Sequence, residues 1–240
     1  MISRPCSGRP RPSASAIAWH DGPWPVPQTL KPAGKPVISH PGEEEFRRAV
    51  AEVATGMAGQ LSLRADLTFE EEPSPRRLAP HAHAIAATVV GGDVGDTEIG
   101  WGKFVLLFDG AGQPGWDGKY RIIGYVRAEL EPEMAADPLI NEVGWSWLTE
   151  ALDARSTGYR MISGTVTTVV TQGFGSKQDE PTSTEFELRA SWSPEISDGS
   201  SAALDGHVAA WCDVICSAAG LPPLAPGVAA LRPQRRRPRL

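Results

Sequence analysis

The chain has 240 residues, 41% of them apolar, with eight tryptophans and a net charge of −6, enough for one cored domain with tails or two small domains. Its charge is uneven: residues 1–40 carry five Lys/Arg against Asp21 alone, residues 228–240 carry five Arg and no acid, and residues 41–227 are left with 13 basic and 28 acidic residues. A body that acidic repels a phosphate backbone, so direct nucleic-acid binding is left to the tails.

Residues 1–41 hold nine of the 22 prolines among scattered Gly, Ser and Arg. Such sequence buries too little surface to offset its ordering entropy, and a disordered arm is expected there. EEEFRRAVAEVATGMAG then spaces Phe46, Val50, Val53 and Met57 as on one helix face, with Glu43 to Glu45 at the dipole-positive start. LSLRADLTF alternates Leu61, Leu63, Ala65, Leu67 and Phe69 with Ser62, Arg64, Asp66 and Thr68, which predicts a half-buried strand. After the turn EEEPSPRR, LAPHAHAIAATVV is a second strand, and Gly91 to Gly100 is expected to be a loop.

GKFVLLFDGAGQPGWDGKYRIIGYVRAELE predicts two strands around a Gly-rich connection, and Asn141 to Arg155 a helix. GTVTTVVTQGF and STEFELRASW form a further strand pair joined by GSKQDEPT. LDGHVAAWCDVICSAAG places Val208, Trp211, Cys212, Ile215 and Ala219 on one helical stripe and stops at Gly220, with Pro222 beyond it. The Pro- and Arg-rich residues 224–240 are expected to be a second disordered tail.

Strands arriving in sequential pairs favour an antiparallel sheet. The expected fold is α+β: a mainly antiparallel sheet of about six strands with three helices on one face, in a single domain over 42–223. Helix-plus-hairpin recurs three times without sequence identity between the units. No run reaches the roughly 18 apolar residues of a membrane span. The N-terminus lacks the apolar stretch of a signal peptide, and Cys6, Cys212 and Cys216 do not make a disulfide framework. A cytoplasmic protein is expected.

The strings FRRAVAEV, EEPSPRRLAPHA, YVRAELEPEMAADPL, EVGWSWLTEALDAR and HVAAWCDVICSAAGLPP resemble an actinobacterial family known only as domain of unknown function number three thousand. The resemblance spans Phe46 to Pro223. It implies a single-domain cytoplasmic protein, carries over no catalytic residue and calls for no cofactor. It also implies a ribonuclease D-like protein as a genetic neighbour and candidate partner.

Seven acids and no Lys or Arg lie between Glu129 and Asp153: Glu129, Glu131, Glu133, Asp137, Glu142, Glu150 and Asp153. Carboxylates that converge can hold Mg²⁺ or Mn²⁺ and activate water, yet these are spread over a strand, a loop and a helix, as solvated charge would be. Arg121, Tyr125, Arg127, Glu129 and Glu131 alternate opposite Ile122, Val126 and Leu130, as Glu185, Glu187 and Arg189 do opposite Phe186, Leu188 and Trp192. Arg64 and Asp66 repeat the pattern. On one sheet these residues make a checkerboard of charge, either as cross-strand ion pairs or as a docking face for a charged partner.

His81 and His83 share a strand face but have no third ligand in sequence reach, and His207 with Cys212-x3-Cys216 sits on an apolar stripe, as core does. GAGQPG and GGDVGDTEIG fit no phosphate-binding pattern and are turns. Within EVGWSWLTEAL, Trp145 and Trp147 point about 160° apart on a helix. Trp147 is expected in the buried stripe, Trp145 at its rim as an anchor for a partner, and Gly144 in mid-stripe where a sheet can approach. The residues favour a non-catalytic interaction or regulatory module working through the charged sheet face, with another protein as partner. A divergent hydrolase built on clustered carboxylates and an accessory factor in RNA processing, reached through Arg235 to Arg237, stand as alternatives.

Overall fold

The computed structural model describes residues 42–91, 97–155, 158–196 and 204–221. The two expected disordered segments lie outside the described residues. Helix α1 (Glu43–Leu63) leads into β1 (Leu67–Glu72), β2 (His81–Gly91), β3 (Thr97–Phe108) and β4 (Tyr120–Glu129). A four-residue helix α2 (Pro132–Ala135) and α3 (Ile140–Ala154) follow, then β5 (Tyr159–Thr171), β6 (Ser183–Pro194) and α4 (Leu204–Ala218). The fold is α+β, as expected, with one antiparallel six-stranded sheet ordered β1-β2-β3-β4-β6-β5. The expected hairpins all form. The last one docks so that β6, not β5, lies against β4, which leaves β5 at an edge.

Alternation sorts the strands into two faces. Ile85, Phe104, Leu106, Ile122, Val126, Phe186, Leu188 and Trp192 turn to the side covered by α1, α3 and α4 and make the main core. Helix α4 is buried on nearly every side, from His207 round through Ala210, Cys212, Val214 and Cys216, rather than along the one stripe expected. An apolar circumference marks a helix enclosed by its neighbours, and α4 packs against α1, α3 and the sheet. Its Trp211 indole N–H donates to the Tyr125 carbonyl at 3.1 Å. The approach is that close because β3 carries glycine below it: a Cβ on Gly102 would lie 2.6 Å from Ile215 and 2.9 Å from Trp211.

Two boundaries differ from expectation. LSLRADLTF is not one strand: α1 runs through Leu63, and Arg64 ends it by donating its backbone N–H to the Gln60 carbonyl at 2.8 Å. Leucines two apart satisfy a period of two, but Gln60 is buried in the core side of α1 while Leu61 stays exposed, so the helical periodicity wins there. Arg64 is itself buried and pairs with Asp66 at 3.7 Å, so it is not part of an open charged face. Of the loop expected over 91–100, Gly91 belongs to β2 and Thr97 to Gly100 belong to β3, and residues 92–96 lie outside the described residues.

On α3 the buried stripe is Ile140, Gly144, Leu148 and Leu152. Trp147, expected inside it, is half-buried beside it against the Phe186 ring at 5.5 Å. A Cβ on Gly144 would run into that same ring. Gly144→Leu is expected to cost about 1–3 kcal/mol through overpacking. By contrast Gly59→Ala, on the exposed side of α1 with nothing within 4 Å, should stabilise by about 0.5–1 kcal/mol. Urea titrations of both variants would check the pair, and two shifts of the same sign would contradict this packing.

Candidate functional site

The face of the sheet opposite the helices carries the alternate set of side chains. On β4 these are Arg121, Ile123, Tyr125, Arg127 and Glu129, and the register sets Tyr125 opposite Arg189, Arg127 opposite Glu187 and Glu129 opposite Glu185 on β6. β3 adds Trp101 and Lys103 and β5 adds Ser163, Thr165 and Thr167 by the same pairing. Glu131 is not among them: β4 ends at Glu129, and Glu131 is the exposed residue before α2. Trp145 is on the helix side, half-buried, where a Cβ on Gly164 would come within 2.8 Å of its ring.

The upper half of this face is internally paired. The Tyr125 hydroxyl donates to Glu187 Oε2 at 2.8 Å, and Arg189 meets Glu187 Oε1 at 2.6 Å. The Arg189 guanidinium lies 5.7 Å from the centre of the Tyr125 ring, and Trp101 sets its edge to the same ring at 5.6 Å. Burial, then the bond to the Glu187 carboxylate, pushes the Tyr125 phenol well above its ordinary value. Arg127 reaches Glu98 at 3.4 Å and Glu185 at 3.8 Å. Half-exposed pairs of this kind are worth roughly 0–1 kcal/mol each; their effect is to order the side chains into a fixed surface.

The lower half is a groove of about 680 Å³. Its floor is Leu107, Ile123, Arg121 and Ser191, and one wall is the start of β5 at Ser163 to Thr165. The opposite wall is the connection between β3 and β4. Gln113 in that connection donates to the Leu78 carbonyl and to Asp109 Oδ2, each at 3.2 Å. Trp116 folds down onto a small apolar cluster of Ala84, Val105 and Leu107, and Asp117 holds Arg160 of β5 at 2.9 Å. The Gly-rich sequence of this connection predicts only turns. The available signal was Trp116 itself, since a large aromatic in a Gly-rich connection needs a surface to cover it.

Arg121 is the distinctive charge. Its guanidinium donates to the Met161 carbonyl at 2.9 Å, the Ser191 carbonyl and Ser193 hydroxyl at 3.2 Å, and the Ser191 hydroxyl at 2.7 Å. All four acceptors are neutral, and among the described residues no carboxylate lies within ion-pair distance of it. Burial lowers its pKa, yet an arginine stays charged at any ordinary pH. The floor of the groove therefore presents a fixed, uncompensated cation.

The other sequence candidates separate. His81 and His83 do share a face of β2, but it is the helix side, where His81 packs on Phe46 at 5.4 Å and Phe108 at 5.8 Å. Cys212 and Cys216 are free and buried; burial raises both thiols, Cys216 to about 12, which makes them inert core groups. The acids between Glu129 and Asp153 stay dispersed, and among the described residues no three His, Cys, Asp or Glu are placed to hold a metal ion. No helix among them is long and apolar enough to cross a membrane.

These features define an antiparallel α+β sandwich with one helix-covered face and one charged and grooved face on which no described helix packs. A family model described as "Protein of unknown function (DUF3000)" matches residues 42–229, and the chain belongs to that family. No curated protein and no solved structure matches it.

Proposed function

We propose that this protein is a non-catalytic interaction module whose uncovered sheet face binds an acidic, partly apolar segment of another protein. The observation that carries this reading is Arg121, a cation on the floor of a groove with no carboxylate of its own among the described residues. Trp116, Leu107 and Ile123 beside it supply apolar contact, and Ser163, Thr165 and Ser191 supply hydroxyls. An incoming Asp or Glu would meet a fixed positive charge whose Nη hydrogens are already engaged, and would take its hydrogen bonds from the remaining Nε–H and from the hydroxyls held beside it. The paired residues Tyr125, Arg127, Glu187 and Arg189, with Glu129 beyond them on β4, form the rim that selects against wrongly charged partners. The dispersed carboxylates, including Glu129 and Glu131, give no support to the hydrolase reading.

Affinity capture from native cytosol tests this with wild type, Arg121→Met, Arg127→Glu with Arg189→Glu, and a purified ribonuclease D-like protein as one defined arm. A captured partner should bind with salt-sensitive affinity and lose about 10–100-fold in Arg121→Met, the worth of a hydrogen bond to a charged group. The rim variant should also lose binding, and circular dichroism on each variant checks that a loss is not instability. Partners retained unchanged by all variants would remove this face from consideration.

A further inference from the structure

The two edges of the sheet are protected differently. β1 is six residues long and ends in Glu70, Glu71 and Glu72, a short and charged edge of the kind that resists pairing with another chain. β5 is thirteen residues long, and from Met161 through Ser176 the sequence contains no charged residue and no proline. One side of it pairs with β6; from Ser163 to Thr171 that register runs without a break, the bulge being confined to Arg160–Ser163. The other side turns alternate N–H and C=O groups away from the sheet, and no described strand pairs with them. Val169 and Val170, 46% and 63% exposed, are large apolar side chains on this open edge.

We infer that β5 is a homodimerisation edge, joining two copies of this chain through antiparallel β5–β5 pairing into one continuous sheet. The occupant is a second copy because the edge suits itself. In a body with a strong excess of acids, this is a long uncharged run of Thr and Val, so identical strands meet without like charges opposite each other. A two-fold axis makes the contact close on itself rather than propagate. The midpoint of the unbroken ladder is Thr167, and a two-fold axis there sets Thr167 opposite its counterpart, Thr165 opposite Val169 and Gly164 opposite Val170. The last pair has a structural reason. Gly164 leaves its place on the helix side to the Trp145 ring, so the exposed Val170 of one copy would pack beside the half-exposed Trp145 of the other. Trp145 then contacts a partner, though on the helix side and at the sheet edge, not with the charged residues. The groove uses the open-face side chains of Ser163 to Thr165 and the dimer uses the outward backbone of the same strand, so the two surfaces adjoin, and the dimer is tested without any groove ligand.

Analytical ultracentrifugation of the full chain over a wide concentration range tests the dimer. Wild type should dimerise reversibly, and Thr167→Lys, which places two cations at the axis, should weaken it about tenfold or more. Circular dichroism should show the variant folded, since Thr167 is exposed. Register is tested with Cys6→Ser as background: Thr167→Cys should form an intermolecular disulfide on mild oxidation, because opposed residues at a two-fold axis fall within disulfide reach. Thr68→Cys, on the β1 edge, should not. A wild type that remains monomeric at the highest concentration overturns the proposal, as does a dimer indifferent to Thr167→Lys or one cross-linked equally well through β1.

Discussion

Trp192→Ala is expected to remove about 3–5 kcal/mol of folding stability. Trp192 lies on β6, fully buried beneath α4, and its indole N–H donates to His207 Nδ1 at 3.1 Å. Its ring fills the space over Gly124, where a Cβ would lie 3.1 Å from it. Neither the sheet nor α4 can collapse into the gap, because α4 is held on its other sides by α1 and α3. Against a total stability of roughly 5–15 kcal/mol for a domain of this kind, the loss leaves a marginal fold. Trp192→Phe keeps an aromatic ring but loses the donor and the part of the indole that covers Gly124, so it should cost about 2–3 kcal/mol, less than alanine. Urea titrations should show lower midpoints with unchanged slopes. An alanine variant within experimental error of wild type would falsify this account of the core.

His207 gives the second large effect, in pH. Burial lowers its pKa from 6.5 to about 4, and Nε2 has no hydrogen-bond partner among the described residues. In the unfolded chain the imidazole takes up a proton near 6.5; in the fold it resists until near 4. Between those values the unfolded state binds more protons, so stability rises with pH. The contribution is full above about 6.5 and is lost as pH falls through this window, a total of about 3 kcal/mol. His207→Met removes the titrating group. It should lower stability at neutral pH, because Trp192 loses its acceptor, and should flatten the acid limb relative to wild type. Parallel stability curves for the two proteins between pH 7 and 4 would contradict this.

Much of the architecture was legible because it rests on local periodicity. The alternation of Arg121, Tyr125 and Arg127 with Ile122 and Val126 assigned each residue to a face before any partner strand was known. The same alternation in Glu187, Leu188 and Arg189 predicted the charged face that the β4–β6 register brings together. Periodicity failed where two periods overlap over a few residues, as at Leu61 to Leu63, which belong to α1. It failed also at Glu131, where β4 gives way to α2 after Glu129 although the alternation continues on paper.

What the sequence determined by itself was the α+β class, the pairing of strands into hairpins, the sidedness of each strand and the acidity of the body. These follow from hydrophobic pattern, turn residues and charge, all of which act between near neighbours in the chain. Only the tertiary structure decided that β6 lies inside and β5 at the edge, because strand order is set by which long-range docking buries most apolar surface. It also decided that Arg121 rests among neutral acceptors under a wall made by Trp116, since a groove is built from segments distant in sequence. The same holds for α4, whose enclosure on nearly every side depends on α1 and α3, both distant from it in sequence.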